Sequence, residues 1–308
     1  MDLLESRLRR YQPRFQGAVR ALAAEHLRAA DLALSFPALL FALAVPRPGF
    51  DPALTLAHVV TGRSLAEAAE AADLPMWLRK LPAEAFTGPI PKLPDGALFR
   101  RQIANHLPTR KLAPLWLQAV TQMADIADEP AAVWIARELI REPKRFKPER
   151  LRLIALWCWF SGQKGTFAHS LIERPWRPDM GIGQALEAAN GWRELFGLHL
   201  ALGPLSITDM WLTPGCVDGY EFLPLDSVAA LAEEAAAMRN CVRTYGDNLA
   251  HGFSRLWAVA QDGKRVATLK ICCWPGDPLL NIAELKGPGN VPVPRELWWA
   301  ARRWLHMH

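Results

Sequence analysis

The first two thirds of the chain have apolar residues at intervals of three and four, the spacing of amphipathic helices. The run FQGAVRALAAEHLRAADLAL shows this spacing, and Ser64 with Glu67 three residues later matches an N-terminal capping box. The segments PAAVWIARELI and PERLRLIALWCWFSG each open with a proline, which favours a first helical turn. The pattern predicts a helical domain over residues 1–205, built as a bundle or an irregular solenoid.

The pattern changes after Pro204. Residues 203–226 are rich in turn-forming residues, and we expect a linker with short extended pieces there. A helix is predicted over 227–245, with Asp226 or Ser227 as its N-cap and Gly246 at its end.

Strand signals follow this helix. The β-rich runs SRLWAVAQ and KRVATLKICCW flank Asp262-Gly263, a dipeptide that favours a two-residue hairpin. A third strand is predicted at 279–287, after the PGDP turn, and Pro294 begins a last helix. The predicted fold class is therefore α+β, with a small module at 206–308 that contains a helix, a three-stranded antiparallel sheet and a helix.

The net charge of +5 and the pI of about 9.1 allow an anionic partner without requiring one. The densest basic run is RELIREPKRFKPERLR, at 137–152. It is interpreted either as a phosphate-binding stripe or as a solvated edge of the helical domain that Glu138, Glu142 and Glu149 partly neutralise.

The chain has five scattered cysteines, no CxxC pair and no secretory signal at its N-terminus. These features predict reduced thiols, a cytoplasmic protein and no metal site. The longest apolar stretch, LALSFPALLFALAVP, is too short to span a bilayer and is expected to form a buried pair of helices. P-loop and dinucleotide-binding motifs are missing, so no cofactor is predicted.

Cys241 lies on the predicted 227–245 helix, beside its apolar face. It is interpreted either as a small packing residue or as a nucleophile. Its position near the negative end of that helix argues against an activated thiolate, although Arg239 and Arg243 flank it. His251 is the nearest candidate base along the chain, but the sequence does not place it within hydrogen-bonding reach.

The stretch that contains MRNCVRTYGDNLAHGF, ATLKI and ELKGPGN resembles the core signature of the PcfJ-like proteins. That signature is Met-x-x-Cys-Val-x-x-Tyr on a helix, a glycine, two strands and a Gln/Glu-x-x-Gly-x-x-Asn stretch. The matching positions are Met238, Cys241, Val242, Tyr245, Gly252, Ala267, Thr268, Leu269, Glu284, Gly287 and Asn290. The resemblance covers about residues 220–305, with Glu284 where glutamine is usual. The family is encoded on plasmids, phages and related mobile elements, so the resemblance implies a module and a genomic setting rather than a reaction.

The polar residues of this signature are expected to meet in one cleft between helix and sheet. They are interpreted either as a site for a small polar ligand or nucleotide, or as a hydrogen-bond network that fixes the helix to the sheet. The candidate catalytic residues are Cys241, Tyr245, Glu284 and Asn290. The candidate binding residues are Asn240, Arg243, His251, Thr268 and Lys286.

Three functions stay open on this sequence. The first is a mobile-element accessory protein that binds nucleic acid or another mobile-element protein through its helical domain, with a polar pocket in the C-terminal module. The second is an enzyme that acts on nucleic acid or a nucleotide-like metabolite with the Cys241, Tyr245, Glu284 and Asn290 set. The third is an assembly module without an active site. No membrane partner is predicted, and the oligomeric state is left open.

Overall fold

A computed structural model describes residues 3–203, 206–274 and 277–308. The chain divides into two compact units, Met1–Ala189, here called the helical unit, and Asn190–His308, here called the C-terminal unit. The predicted boundary after residue 205 falls at residues outside the described ranges and stays a prediction, as does the PGDP turn at 275–278, which begins outside them.

Every regular element described in the helical unit is a helix. The α-helices of the described ranges are α1 (Leu3–Leu8), α2 (Pro13–Glu25), α3 (Leu27–Ser35), α4 (Pro37–Ala44), α5 (Pro52–Thr61), α6 (Leu65–Ala71), α7 (Ala97–Ile103), α8 (Ala113–Ile126), α9 (Glu129–Arg141), α10 (Leu151–Gly162), α11 (Phe167–Ser170), α12 (Ile182–Leu202), α13 (Val228–Met238), α14 (Gly246–Ala250) and α15 (Arg295–His306). Short 3₁₀ segments are Met76–Lys80, Ala83–Ala85, Pro148–Arg150, Val242–Tyr245 and Pro288–Asn290.

Caps and prolines begin several of these helices, as the sequence predicts. Ser64 accepts a hydrogen bond from the backbone N–H of Glu67, and the Glu67 carboxylate accepts one from the Ser64 N–H at 3.0 Å. Pro37 lies in the first turn of α4, whose Leu39 and Phe41 are fully buried, so the predicted buried helix pair is confirmed. None of the described helices combines the length and the hydropathy that crossing a lipid bilayer requires.

The C-terminal unit is built on an antiparallel sheet in which each strand pairs with the next one along the chain. Its strands are β1 (Gly215–Val217), β2 (Tyr220–Pro224), β3 (Ser254–Gln261), β4 (Lys264–Trp274) and β5 (Asp277–Lys286). Two-residue hairpins join β1 to β2 and β3 to β4. Both turns are Asp-Gly with positive φ at both residues, 52° and 81° at 218–219 and 52° and 72° at 262–263, as a type I′ turn requires.

One face of the sheet is an apolar core that packs against α15. Trp304 of α15 stacks on Phe222 with ring centroids 4.4 Å apart and meets Trp257 edge to face at 4.8 Å. Ala267 and Leu269 of β4 are fully buried in the same cluster. Because side chains alternate along a strand, the residues between them lie on the opposite face, where the candidate site is found.

The predicted α+β fold class is confirmed, and β3, β4 and α15 follow the predicted segments closely. The sheet has two more strands than predicted, because Asp218-Gly219 makes a second hairpin within the segment predicted to be a linker.

The helix predicted over 227–245 is shorter than expected. Ser227 is its N-cap, but α13 ends at Met238 because Arg239 takes a left-handed conformation with φ of 49°. Gly246 does not end this helix; it is the first residue of α14. A Cβ at Gly246 would lie 3.1 Å from the Cβ of Ala201 in α12, so the glycine allows close helix packing.

Candidate functional site

The candidate site is a narrow cleft between segment 239–245 and the polar face of β4 and β5. The side chains that line it are Asn240, Cys241, Val242, Tyr245, Leu256, Thr268, Lys270, Glu284, Lys286 and Asn290. They come from four parts of the chain: the turn after α13, the central strands β3 and β4, the edge strand β5, and the loop that follows β5.

The pairing of β4 with β5 places the polar side chains side by side. Thr268 lies opposite Lys286, and Lys270 lies opposite Glu284. Directly opposed residues of an antiparallel pair have Cβ atoms about 5 Å apart, so opposite charges there attract. The register shifts by one residue between Lys270 and Ile271, which is a β-bulge beside the cleft, and the pairing continues from Ile271 opposite Ile282.

The position of Cys241 follows from the early end of α13, because the helix does not continue to Tyr245 as predicted. It stands at the N-cap position of the 3₁₀ segment Val242–Tyr245, and its thiol is exposed. The interpretation of Cys241 as a buried packing residue is therefore wrong. Cys241 lies three residues past the C-terminal end of α13 rather than within the last turns of a longer helix, so it is still near the negative end of a helix.

A buried hydrogen-bond network fixes the inner end of the cleft. Asn240 Nδ2 donates to Thr268 Oγ1 at 2.8 Å, and the Thr268 hydroxyl donates to Glu234 of α13. Arg265 Nη1 donates to the other oxygen of Glu234 at 2.8 Å. Thr268 thus uses its one proton toward the carboxylate and a lone pair toward the amide, so α13 and β4 are joined through its hydroxyl.

Glu234 is fully buried despite its charge. Burial raises the pKa of the Glu234 carboxyl, while the Thr268 hydrogen bond and the Arg265 guanidinium act in the opposite direction. The carboxylate is a supporting group beneath the cleft, because its described contacts are with Thr268 and Arg265 and it does not line the cleft.

A second polar cluster forms the side of the cleft. Tyr245 Oη donates to Glu284 Oε1 at 2.9 Å, and Lys270 Nζ lies 3.4 Å from the same oxygen. The Lys270 ammonium also lies 4.3 Å from the centre of the Tyr245 ring, within cation–π range. Burial raises the pKa of the Tyr245 phenol, and the hydrogen bond to Glu284 and its charge raise it further. Tyr245 is therefore a hydrogen-bond donor at neutral pH.

The mouth of the cleft is formed by Lys286 and Asn290. Neither side chain makes a hydrogen bond or ion pair within the described ranges. Asn290 has φ of 63°, a left-handed conformation in which asparagine is enriched. The backbone conformation therefore also favours asparagine at this position. Gly287 is buried, and a Cβ there would lie 3.2 Å from Val291, which explains the glycine of the signature.

The cleft is small. Its volume of about 20 Å³ accommodates about one water molecule. A nucleotide does not fit in this conformation, although the end of a larger group can reach the mouth. The charged side chains that line the cleft are Lys270, Lys286 and Glu284, so their net charge is +1.

Most of the predicted site residues meet here, and two do not. The residues that line the cleft are Asn240, Cys241, Tyr245, Thr268, Glu284, Lys286 and Asn290. Arg243 and His251 are not among the side chains that line it. His251 Nδ1 lies 2.8 Å from the Asp247 carbonyl oxygen, and the His251 ring stacks on Phe253, so its described contacts are outside the cleft.

Two residues of the site are missing from the sequence-based prediction. Lys270 lies two residues after Thr268 on the same strand, so strand alternation places it on the same face and predicts its position. Glu234 is an ordinary helix residue in the sequence, and only the burial of that helix face distinguishes it. Among the described residues, no group of three or more His, Cys, Asp and Glu side chains is placed to hold a metal ion.

The resemblance to PcfJ-like proteins gains no support from similarity searches. Comparison of the chain with models of protein families, with curated proteins and with solved structures gave no match. The family assignment stays a prediction based on the sequence signature.

Proposed function

We propose that the chain is a PcfJ-like accessory protein of a mobile genetic element and that its C-terminal unit is a binding module. The main support is the meeting of the signature residues in one place. Cys241, Tyr245, Thr268, Glu284 and Asn290 come from four segments of the chain, and all five line the same cleft. The side chains of Lys286 and Asn290 at the mouth of the cleft have no hydrogen-bond or ion-pair partner within the described residues, so packing and the internal network do not use their polar groups.

The ligand that best suits the cleft is an anionic end group. Lys270 is already paired with Glu284, whereas Lys286 has no acidic partner within the described residues. Asn290 adds an amide donor at the mouth, and the narrow volume admits only a terminal carboxylate or phosphate oxygen. A lysine and an amide at the entrance bind such a group by charge-assisted hydrogen bonds.

Binding has more support than covalent catalysis. The Cys241 thiol is exposed, but the candidate base His251 does not line the cleft. An enzyme that uses Tyr245, Glu284 and Asn290 stays the alternative, and it requires turnover of a substrate that these residues contact.

The helical unit is proposed to bind nucleic acid. It contains 25 Lys and Arg residues against 19 Asp and Glu, a net charge of +6, whereas the C-terminal unit has a net charge of −1. Within the basic run, Glu138 pairs with Arg141 and Glu142 pairs with Arg145, so part of the run is neutralised. The exposed side chains of Lys144, Lys147 and Arg152 form no ion pair within the described ranges.

The cleft proposal is tested by calorimetric titration of the full chain with inorganic phosphate and with acetate at low ionic strength. Lys286→Gln is expected to weaken binding at least fivefold, because it removes the unpaired cation at the mouth. Lys264→Gln makes the same change in net charge at an exposed position of β4 outside the cleft, and should bind as the unmodified chain does. Equal losses in both variants, or none in Lys286→Gln, would contradict an anion site in the cleft.

A further inference from the structure

A second and larger pocket lies at the other side of the sheet, where α15 crosses the ends of β2 and β3. Its volume is about 520 Å³, within the range of ligand sites, and it is lined by Asp218, Tyr220, Gln261, Glu296, Trp299 and Arg303. None of these residues lines the cleft described above.

Two features of the fold bring these residues together. Tyr220 and Gln261 are paired across β2 and β3, each next to an Asp-Gly hairpin turn. Glu296, Trp299 and Arg303 follow one another at steps of three and four, so they lie on one face of α15. The rigid ends of two hairpins and one helix face therefore form the walls of the pocket.

Trp299 is the feature that packing does not explain. More than half of its surface, 55 %, is exposed, although Trp304 of the same helix is completely buried. Arg302 lies outside the lining of the pocket, but its guanidinium is 5.6 Å from the centre of the Trp299 ring and forms no ion pair within the described residues. An exposed indole beside an unpaired arginine is suited to stack a flat ring and to bind an attached anion.

The polar groups of the pocket are available to a ligand. Within the described ranges, the side chains of Tyr220, Gln261 and Glu296 form no hydrogen bond or ion pair. Arg303 is paired with Asp218, so that part of the wall is neutral. A carboxylate accepts N–H groups and an amide both donates and accepts, which matches the hydrogen-bonding edge of a nucleobase.

We propose that this pocket binds a nucleotide, with its base stacked on Trp299, the edge of the base hydrogen-bonded by Gln261 and Glu296, and its phosphate near Arg302. The same chemistry is offered by a free mononucleotide and by one base of a single-stranded nucleic acid. A carbohydrate would also stack on an indole, but it leaves the unpaired arginine without an anion.

The test is calorimetric titration of the full chain with AMP, GMP, CMP, UMP and ribose 5-phosphate, and with a short single-stranded DNA. We expect a nucleotide or the DNA to bind, and ribose 5-phosphate, which lacks the base, to bind at least tenfold more weakly. Trp299→Ala should weaken binding about tenfold, as loss of one stacked base does. Trp299→Phe keeps a ring and should lose less.

Matched variants separate stacking from a general loss of structure. Trp159→Ala removes another exposed tryptophan, in α10 of the helical unit, and should leave nucleotide binding unchanged. Glu296→Gln should change the order of preference among the four bases. Trp299-dependent binding of mononucleotides assigns the pocket to free nucleotides, and Trp299-dependent binding of DNA alone assigns it to single strands. Mononucleotide binding that does not depend on Trp299, or equal binding of ribose 5-phosphate, would overturn the proposal, as would DNA binding that Trp299→Ala leaves unchanged when no mononucleotide binds.

Discussion

Thr268 shows how one side chain serves both structure and site. Its hydroxyl joins the amide of Asn240 to the carboxylate of Glu234, and the residue also lines the cleft. The two interpretations of the signature, ligand site and structural network, therefore do not exclude each other: the network lies at the inner end, and Lys286 and Asn290 stand at the mouth.

Thr268→Val tests the structural part. Valine has the same shape but no hydroxyl, so Asn240 and Glu234 each lose a buried partner, and we expect a loss of about 1–3 kcal/mol in the free energy of unfolding. Urea unfolding followed by circular dichroism measures this. Thr208→Val, at an exposed threonine of the same unit whose side chain forms no hydrogen bond within the described residues, should change the free energy of unfolding by less than about 0.5 kcal/mol.

The loss in Thr268→Val should depend on pH. The folded-state pKa of Glu234 is already raised by burial, so the contribution of this carboxyl is complete at low pH and is lost as the pH rises through its folded pKa. Removal of the Thr268 hydrogen bond raises that pKa further. The deficit of the variant should therefore grow between acidic and neutral pH, and a deficit that shrinks over that range would contradict the network.

The two hairpins show which elements of the fold the sequence predicts and which it does not. Asp262-Gly263 predicts the turn between β3 and β4, because type I′ geometry needs positive φ at both positions. Asp218-Gly219 has the same signal, but the strands beside it are only three and five residues long, and the turn-rich composition of the segment favours a linker. The end of α13 at Arg239 has no such signal, because nothing in the local sequence requires a left-handed arginine.

Substitution by alanine should change the stability of the protein in opposite directions at Gly219 and at Gly197. Gly219 has φ of 81°, a conformation that alanine reaches at a cost of about 1 kcal/mol or more, so Gly219→Ala should destabilise the C-terminal unit. Gly197 lies within α12 with open space around it, so Gly197→Ala should stabilise the helix by about 0.5–1 kcal/mol. Thermal unfolding of both variants checks the pair, and shifts in the same direction would refute the assigned backbone conformations.

At the scale of the whole molecule, charge is divided unequally between the two units. The net charge of +6 belongs to the helical unit, while the cleft and the nucleotide pocket belong to a C-terminal unit of net charge −1. Composition predicts the overall basic character. The partial neutralisation of the basic run by Glu138 and Glu142 also agrees with one of the two interpretations of the sequence: Glu138 pairs with Arg141 within α9, and Glu142 pairs with Arg145 just after it.

Binding of double-stranded DNA by the helical unit should be sensitive to salt. Combined Lys144→Gln, Lys147→Gln and Arg152→Gln substitutions are expected to weaken binding and to lower the slope of log K against log salt by up to about 3, roughly one for each phosphate contact. Fluorescence anisotropy at several salt concentrations measures this. The control variant has Arg239→Gln, Lys264→Gln and Arg295→Gln, exposed positions of the C-terminal unit. Equal slopes for the two variants would exclude the basic run as the DNA contact.

The close packing of Gly246 against α12 has a practical consequence for dividing the chain. Ala201 and Leu198 contact the position where a side chain of residue 246 would stand, so the last turns of α12 cover the helix that follows the cleft. A C-terminal fragment that starts after residue 205 lacks Ala201 and Leu198, so it loses this contact. A fragment that starts at Asn190 keeps it, and is the one to prepare when the cleft is to be studied by itself.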